Sequence, residues 1–197
     1  MKIIAATHNK GKVREIEKIL GELGYEVVPQ NEVGINIEPE ENGTTFSENA
    51  LIKARAIAAL CGGSAVIADD SGLCVEALGG APGIYSARYA GENASDGDRI
   101  KKLLSEMEGE KNRKAKFVSA VAFILPSGEE ITTEGETSGN IALEPAGDGG
   151  FGYDPVFVSD ELGKTFGEAS PEEKNRISHR YRSLSALYKI LKSRNLK

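Results

Sequence analysis

The sequence predicts an α/β fold with a mixed β-sheet, in a single domain that covers residues 1–197. The order of the segments is the first observation: strands and helices alternate at first, a strand-rich middle follows, and the end is helical. Length is the second, since 197 residues are enough for one sizeable core. Composition is the third, because 40% hydrophobic and 27% charged residues are typical of a globular protein.

Hydrophobic periodicity places the individual elements. Apolar runs predict strands, and apolar residues spaced by three and four predict helices. The predicted strands are residues 2–7, 25–28, a run from 66 that ends at Asp69-Asp70, 115–125 and 130–138. The predicted helices are residues 11–23, 46–60, 96–107 and a C-terminal segment that begins after Ser170. In that last segment Ser170 fits an N-cap, Pro171 the first helical position and Glu173 a capping box, with Leu184, Leu187, Tyr188 and Leu191 as its packing face.

Charge and residue counts restrict the classes of function. A net charge of −6 argues against a surface that coats nucleic acid, although a locally basic site could still hold a small anion. Two histidines argue against a His-rich zinc site, so carboxylates would have to hold any metal, which favours Mg²⁺ or Mn²⁺. Cys61 and Cys74 form no CxxC pair, and no segment resembles a signal peptide or a membrane span. We therefore expect reduced thiols and a cytoplasmic location.

A polar turn, Thr7-His8-Asn9-Lys10-Gly11-Lys12, joins the first predicted strand to the first helix. Free N–H groups at a helix start, the helix dipole and nearby lysines make such a turn suitable for phosphate binding. It is not a Walker A loop, because Val13 follows Lys12 where Ser or Thr would bind magnesium. An ordinary capped helix with solvated lysines is the alternative.

Two adjacent carboxylates, Asp69 and Asp70, follow the apolar run and precede Ser71 and a glycine. Because side chains alternate along a strand, we expect one carboxylate to face a site and the other to brace the turn. A plain acidic turn is the alternative. Asn49 and Lys53 lie four residues apart on the second predicted helix, so they could reach into a cleft together.

Residues 147–155 form a loop with four glycines, two aromatic residues and two further acids. Glycines allow the backbone to approach a ligand closely, and an aromatic ring can stack on a planar base. An irregular hairpin connection is the alternative. Lys174 falls in the first turn of the C-terminal helix, where a cation opposes the helix dipole, and this suggests an anionic partner.

Together these motifs resemble the inosine triphosphate pyrophosphatase family, the XTP/dITP diphosphatases. Six strings carry the resemblance in the family's order: THNKGK at 7–12, FSENALIKA at 46–54, ADDSGL at 68–73, GGAPGIYSARY at 79–89, GGFGYDP at 149–155 and EKNRISHR at 173–180. The resemblance implies an elongated, twisted mixed sheet flanked by helices, with a nucleotide cleft between two lobes, and a homodimer. It also implies Mg²⁺-dependent hydrolysis of non-canonical purine nucleoside triphosphates to the monophosphate and pyrophosphate, with Mn²⁺ as a substitute metal.

The resemblance further assigns roles by position. Asp70 would be the general base and a metal ligand, Glu41 the second ligand, and Lys53 a partner for phosphate or carboxylate. The residues implied to bind substrate, with Lys12 as the main cation, are Thr7, His8, Asn9, Lys10, Gly11, Lys12, Ser71, Phe151, Gly152, Tyr153, Asp154, Lys174, His179 and Arg180. Asp69 would support the turn or lie behind the metal. The sequence leaves Glu38, Glu40 and Glu41 open as the ligand, and the adjacent Asn42-Gly43 favours Glu41.

The leading interpretation is therefore an enzyme that removes ITP, dITP and XTP from the nucleotide pool. A second interpretation is a Maf-like pyrophosphatase acting on modified pyrimidines, against which the FGYD and SHR strings argue. A third is a non-catalytic nucleotide-binding domain. The acidic pair and Glu41 argue against the third, since a pure binder needs no base beside a metal.

Overall fold

A computed structural model describes residues 1–194, and this part of the chain contains one six-stranded sheet with flanking helices. The strands are β1 (Lys2–Ala5), β2 (Glu26–Pro29), β3 (Ala65–Val75), β4 (Lys114–Ile124), β5 (Glu130–Ile141) and β6 (Phe157–Ser159). The helices are α1 (Lys10–Leu20), α2 (Phe46–Ala58), α3 (Asp96–Glu106), α4 (Pro171–Ile177) and α5 (His179–Ser193).

The sheet has the strand order β2-β1-β3-β4-β5-β6. β1 pairs in parallel with both β2 and β3, whereas β5 and β6 are antiparallel. The sheet is therefore mixed, and the predicted α/β class is confirmed.

The chain divides into two compact units, each assembled from separate segments. Unit 1 contains Met1–Asp70, Ser119–Gly135 and the segment from Arg180 onward, and unit 2 contains Ser71–Val118 and Glu136–His179. In unit 1, alternation along the strands sends Ile3 and Ile67 to one buried cluster and Ile4 and Val66 to another. Leu184, Leu187 and Leu191 of α5 join the first cluster as predicted, and Ala50, Ala54 and Ile57 of α2 join the second.

Unit 2 has its own core. Leu73 and Val75 of β3 pack with Ile100 and Leu103 of α3 and with a group of aromatic rings. The centroids of Phe117 and Phe157 are 4.6 Å apart, and those of Phe157 and Phe166 are 5.1 Å apart. The two units thus bury separate apolar cores.

One predicted boundary was wrong in a way that affects the site. β3 does not end at Asp69-Asp70 but continues through Ser71 and Gly72 to Val75. Acidic and small residues are typical of turns, but here the carboxylates have cationic and amide partners, so the strand can continue through them. A smaller correction concerns α1, which begins at Lys10 and passes into a 3₁₀ turn at Gly21–Leu23.

The C-terminal segment forms two helices rather than one. Ser170 caps α4 with the predicted capping box to Glu173, and Pro171 is the first helical residue. The extended backbone of Ser178 then separates α4 from α5. No helix among residues 1–194 has the length and apolar character needed to cross a membrane. Cys61 and Cys74 are free thiols, as predicted, but both are partly exposed.

Candidate active site

The turn before α1 is held in shape by its own polar side chains. Asn9 is the N-cap, and its Oδ1 accepts hydrogen bonds from the N–H groups of Gly11 and Lys12 at 2.8 and 3.2 Å. Thr7 Oγ1 accepts from the N–H of Asn9 at 3.1 Å. His8, Asn9 and Lys10 are exposed. The turn is therefore ordered by the chain itself. Because Asn9 already accepts from the N–H groups of Gly11 and Lys12, a phosphate at this turn would depend on the lysines and the helix dipole rather than on those two N–H groups.

Asp69 lies at the centre of a buried network of charges in unit 1. Its Oδ1 is 2.8 Å from Lys12 Nζ, and its Oδ2 accepts from Arg180 Nε at 3.0 Å. Arg180 is 2% exposed and also donates from Nη1 to Glu15 Oε2 at 3.0 Å. Burial would raise the pKa of Asp69, but the charges of Lys12, Arg180 and Lys53 outweigh it and hold that pKa well below its usual range.

Asp70 contacts a different set of residues, as the alternation along β3 predicts. Lys53 Nζ donates to its Oδ1 at 3.1 Å, and Asn49 Nδ2 donates to its Oδ2 at 3.3 Å. Burial raises the pKa of Asp70, Lys53 opposes that rise, and Glu41 adds to it. Burial would lower the pKa of Lys53, but Asp70, Glu41 and Asp69 together raise it, so Lys53 is a firmly charged ammonium.

Glu41 and Asp70 share this ammonium. Glu41 Oε1 is 3.2 Å from Lys53 Nζ, whereas Glu38 and Glu40 are exposed. Two carboxylates that face one cation form a donor set suited to Mg²⁺, which binds through one or two carboxylates plus waters and phosphate oxygens. Within residues 1–194, no three or more His, Cys, Asp or Glu side chains cluster as a complete metal cage. The residues present therefore fit a metal that is completed by substrate.

In unit 2, the glycine-rich loop is tied to α3 and α4. Asp154 Oδ2 accepts from the N–H of Phe151 at 2.8 Å and lies 2.5 Å from Lys174 Nζ. Lys174 Nζ is also 4.7 Å from the centroid of the Phe151 ring, which is 43% exposed. The N–H of Gly152 donates to Asp96 at 2.7 Å. A cation and an exposed ring thus lie together, as base binding would require.

Three other predicted site residues, Tyr153, His179 and Ser71, are buried or partly buried. Tyr153 is buried and donates its hydroxyl to the carbonyl of Ser86 at 2.9 Å. His179 is buried and stacks on Phe117 with ring centroids 4.8 Å apart. Ser71, next to Asp70 in β3, is partly buried.

Seven of the predicted residues therefore lie in unit 2, namely Ser71, Phe151, Gly152, Tyr153, Asp154, Lys174 and His179. The remainder lie in unit 1, and Arg180 is among them as a buried partner of Asp69 and Glu15. The roles assigned to these residues stay predictions.

Sequence reasoning missed two residues that organise unit 1. Glu15, on α1, contacts Arg180. It lies three residues after Lys12, so the two side chains share one face of the helix, and this spacing was a sign in the sequence that Glu15 lies near the site. Gln30 is 2% exposed and contacts both His8 and the carbonyl of Ile37. A glutamine directly after an apolar strand gave no signal, because glutamine in such a position is normally at the surface.

Comparisons with known proteins identify the relatives of this chain. The model of the Ham1 family matches residues 3–190. A dITP/XTP pyrophosphatase of Bacillus subtilis is 49% identical over 192 residues, which are 96% of each chain. One from Haemophilus influenzae is 50% identical over 190 residues, which are 94% of this chain and 96% of that one. The structure of the Staphylococcus aureus Ham1 protein superposes with a TM-score of 0.91 at 42% identity, covering 98% of this chain and all of that one.

These relatives have the name of the family that the six sequence strings resemble. The matches cover nearly the whole of this chain and nearly the whole of each relative. The solved relative shares the mixed sheet and its helices at high structural similarity. The chain belongs to the Ham1 family.

Proposed function

We propose that the protein hydrolyses dITP, XTP and ITP to the nucleoside monophosphate and pyrophosphate, with Asp70 as the general base. The observation that carries the proposal is the arrangement of Asp70 and Glu41 around Lys53, beside a strand that also holds the buried Asp69. Its support from outside the chain is that relatives about 49% identical are named dITP/XTP pyrophosphatases. The enzyme is thus a hydrolase of phosphoanhydride bonds that clears non-canonical nucleotides.

The reaction needs a base for water. A water oxygen attacks the α-phosphorus, its proton passes to the Asp70 carboxylate, and the bond from the α-phosphorus to the bridging oxygen breaks as pyrophosphate leaves. Partial burial raises the pKa of Asp70, which makes it a better base than an exposed aspartate. Lys53 favours its ionised form, and Asn49 fixes the orientation of the second oxygen.

Glu41 and Asp70 would hold Mg²⁺, with Mn²⁺ as a substitute. When bound, the metal neutralises phosphate charge and so makes the α-phosphorus easier to attack. Lys53 keeps the two carboxylates close together until then, because its ammonium balances both charges. Lys12, at the exposed turn, would contact the phosphates while it remains anchored to Asp69.

Selection of the base can be argued from hydrogen bonds. Hypoxanthine and xanthine present an acceptor at O6 and a donor at N1, and adenine reverses both. A pocket that donates to O6 and accepts from N1–H would leave two buried groups unpaired against adenine, at about 1–3 kcal/mol each. We propose that Lys174 and the residues around it in unit 2 form this pocket, with Phe151 stacked on the base. Exclusion of guanine would depend on its 2-amino group.

Substitution of Asp70 and Glu41, the two carboxylates that contact Lys53, tests their assigned roles as general base and metal ligands. Asp70→Asn keeps the shape but removes the base, so turnover should fall by about 10²–10⁴ while nucleotide binding persists. Glu41→Gln should raise the Mg²⁺ concentration needed for half-maximal rate. Glu38→Gln and Glu40→Gln change exposed carboxylates of the same loop and should behave as the wild type.

Pyrophosphate release at several Mg²⁺ concentrations measures these effects. A fully active Asp70→Asn protein would refute the base assignment. If Glu38→Gln or Glu40→Gln raised the Mg²⁺ concentration needed for half-maximal rate and Glu41→Gln did not, the metal ligand would be Glu38 or Glu40 instead of Glu41. If calorimetry showed nucleotide binding with no product from the wild type, the protein would be a binding domain instead.

The resemblance supports a homodimer, the chain length supports a single domain, and the expectation of a cytoplasmic location comes from the lack of any segment resembling a signal peptide or a membrane span. We propose all three on these grounds. Sedimentation equilibrium of the full chain tests the first, with twice the chain mass expected.

A further inference from the structure

Gln30 lies where two segments of the candidate site meet within unit 1. It directly follows β2, whose last residue, Pro29, is in register with Ala5 of β1. Parallel pairing therefore brings the end of β2 beside the start of the Thr7–Lys12 turn. Gln30 is 2% exposed, and a buried amide of this kind requires hydrogen-bond partners.

The partners of Gln30 fix which atom donates. Its Nε2 donates to the carbonyl oxygen of Ile37 at 2.8 Å and lies 3.1 Å from His8 Nε2. A carbonyl oxygen only accepts, so the atom facing both groups is the amide nitrogen, which carries two hydrogens. His8 Nε2 must then be an acceptor, and the proton of the neutral imidazole lies on Nδ1.

Ile37 belongs to the irregular segment between Gly34 and Thr45 that carries Glu41. This segment is also held at Gly43, whose N–H donates to Asn49 Oδ1 at 2.9 Å, and at Glu41, which lies 3.2 Å from Lys53. Asn49 and Lys53 are the residues that contact Asp70. The Gln30 side chain is thus a further anchor of the Glu41 segment, beside the bond of 3.0 Å from the Ile35 N–H to the Gln30 carbonyl oxygen, and it is the anchor that also contacts the phosphate turn at His8.

We propose that Gln30 is a positioning residue, which holds the Glu41 segment against the Thr7–Lys12 turn so that Glu41 reaches the metal shared with Asp70. The inference rests on the proposed metal ligands. Gln30 itself touches neither metal nor substrate in this account. Removal of its two side-chain hydrogen bonds would release Ile37, so that on that side the segment would be held by Lys53 at Glu41 and by the bond from the Ile35 N–H to the Gln30 carbonyl oxygen.

Gln30→Met tests the proposal, because methionine has a similar volume and no hydrogens to donate. Mn²⁺ binding to the nucleotide-free protein, measured by electron paramagnetic resonance, should weaken roughly 10-fold or more, as for other residues that orient metal ligands. Amide hydrogen exchange over residues 34–45 should accelerate. Glu32→Gln is the matched control, since the Glu32 side chain is exposed in the same short turn, and it should leave both readouts unchanged.

Unchanged Mn²⁺ affinity and unchanged exchange in Gln30→Met would overturn the inference. If Glu41→Gln bound Mn²⁺ like the wild type, the proposed metal ligand would fail instead, and accelerated exchange in Gln30→Met would still identify the anchor. The wild type offers an independent check should Gln30→Met not fold. Nitrogen-15 spectra of His8 should show the Nδ1–H tautomer, and the Nε2–H tautomer would contradict the proposal.

Discussion

Asp69 and Asp70 are neighbours in one strand, yet they are balanced by different charges. Asp69 is buried against Lys12 and Arg180, whereas Asp70 is less buried and is balanced by Lys53, which also contacts Glu41. When one partner of a buried ion pair is removed, the remaining charge is left uncompensated, at about 3–5 kcal/mol. We therefore expect Asp69 to matter first for folding, and we propose that Asp70 matters first for chemistry.

We expect Asp69→Asn to lower the free energy of unfolding by about 3–5 kcal/mol, because Lys12 and Arg180 lose their common carboxylate. Asp70→Asn should lower it by less, since Lys53 keeps Glu41. Urea denaturation of the two variants at pH 7 measures the difference. A greater loss of stability in Asp70→Asn would show that the buried network is not centred on Asp69.

The pKa of Asp69 gives this stability a pH dependence of known sign. Its pKa in the folded protein is depressed, whereas an unfolded aspartate titrates near 3.9. The contribution of Asp69 is therefore complete above the unfolded pKa and is lost as the pH falls toward the folded one. We expect the stability gap between wild type and Asp69→Asn to narrow as the pH falls from about 4.5 to about 2.5, through and below the unfolded pKa, in metal-free buffer. A constant gap over that range would contradict the assigned ion pairs, and Glu38→Gln is the exposed control.

At the scale of elements, regular spacing was predictable and pairing was not. Asn49 and Lys53 lie one turn apart on α2, and both reach Asp70, as their spacing predicted. The continuation of β3 through Asp69 was not predictable, because it depends on Lys12 and Arg180, which lie far away along the chain. Local sequence carries helix periods and caps, but not the distant partners that allow a polar strand to be buried.

The cap of α4 allows a prediction at the same scale. This helix has only seven residues, and its capping box joins Ser170 to Glu173. Ser170→Ala should lower the free energy of unfolding by about 1 kcal/mol, because the N–H of Glu173 loses its acceptor. Urea denaturation measures the change, with Ser64→Ala, in the turn before β3, as the control. Equal stability of wild type and Ser170→Ala would show that the box contributes nothing.

At the scale of the whole molecule, the sequence predicted the α/β class, the family and the order of the elements, except for β6 and the division of the C-terminal segment into α4 and α5. The resemblance implied two lobes, but the residue patterns did not predict which segments form the two units with separate cores, because each unit combines distant segments and β3, β4 and β5 contribute to both. The residue pattern singled out Asp70, because adjacent carboxylates follow an apolar run, whereas Glu41 was suggested only by the resemblance; the roles of both stay predictions. No pattern pointed to Gln30, whose contribution arises only from the parallel register of β1 and β2.

The central claim is that this chain splits non-canonical purine triphosphates at the α-phosphorus. Phosphorus-31 spectroscopy of reactions with dITP, XTP, ATP and GTP in the presence of Mg²⁺ tests it most directly. We predict a monophosphate and pyrophosphate from dITP and XTP, with rates on the order of 10²–10⁴ above that for ATP. Equal rates on all four nucleotides, or a diphosphate with orthophosphate as products, would contradict it.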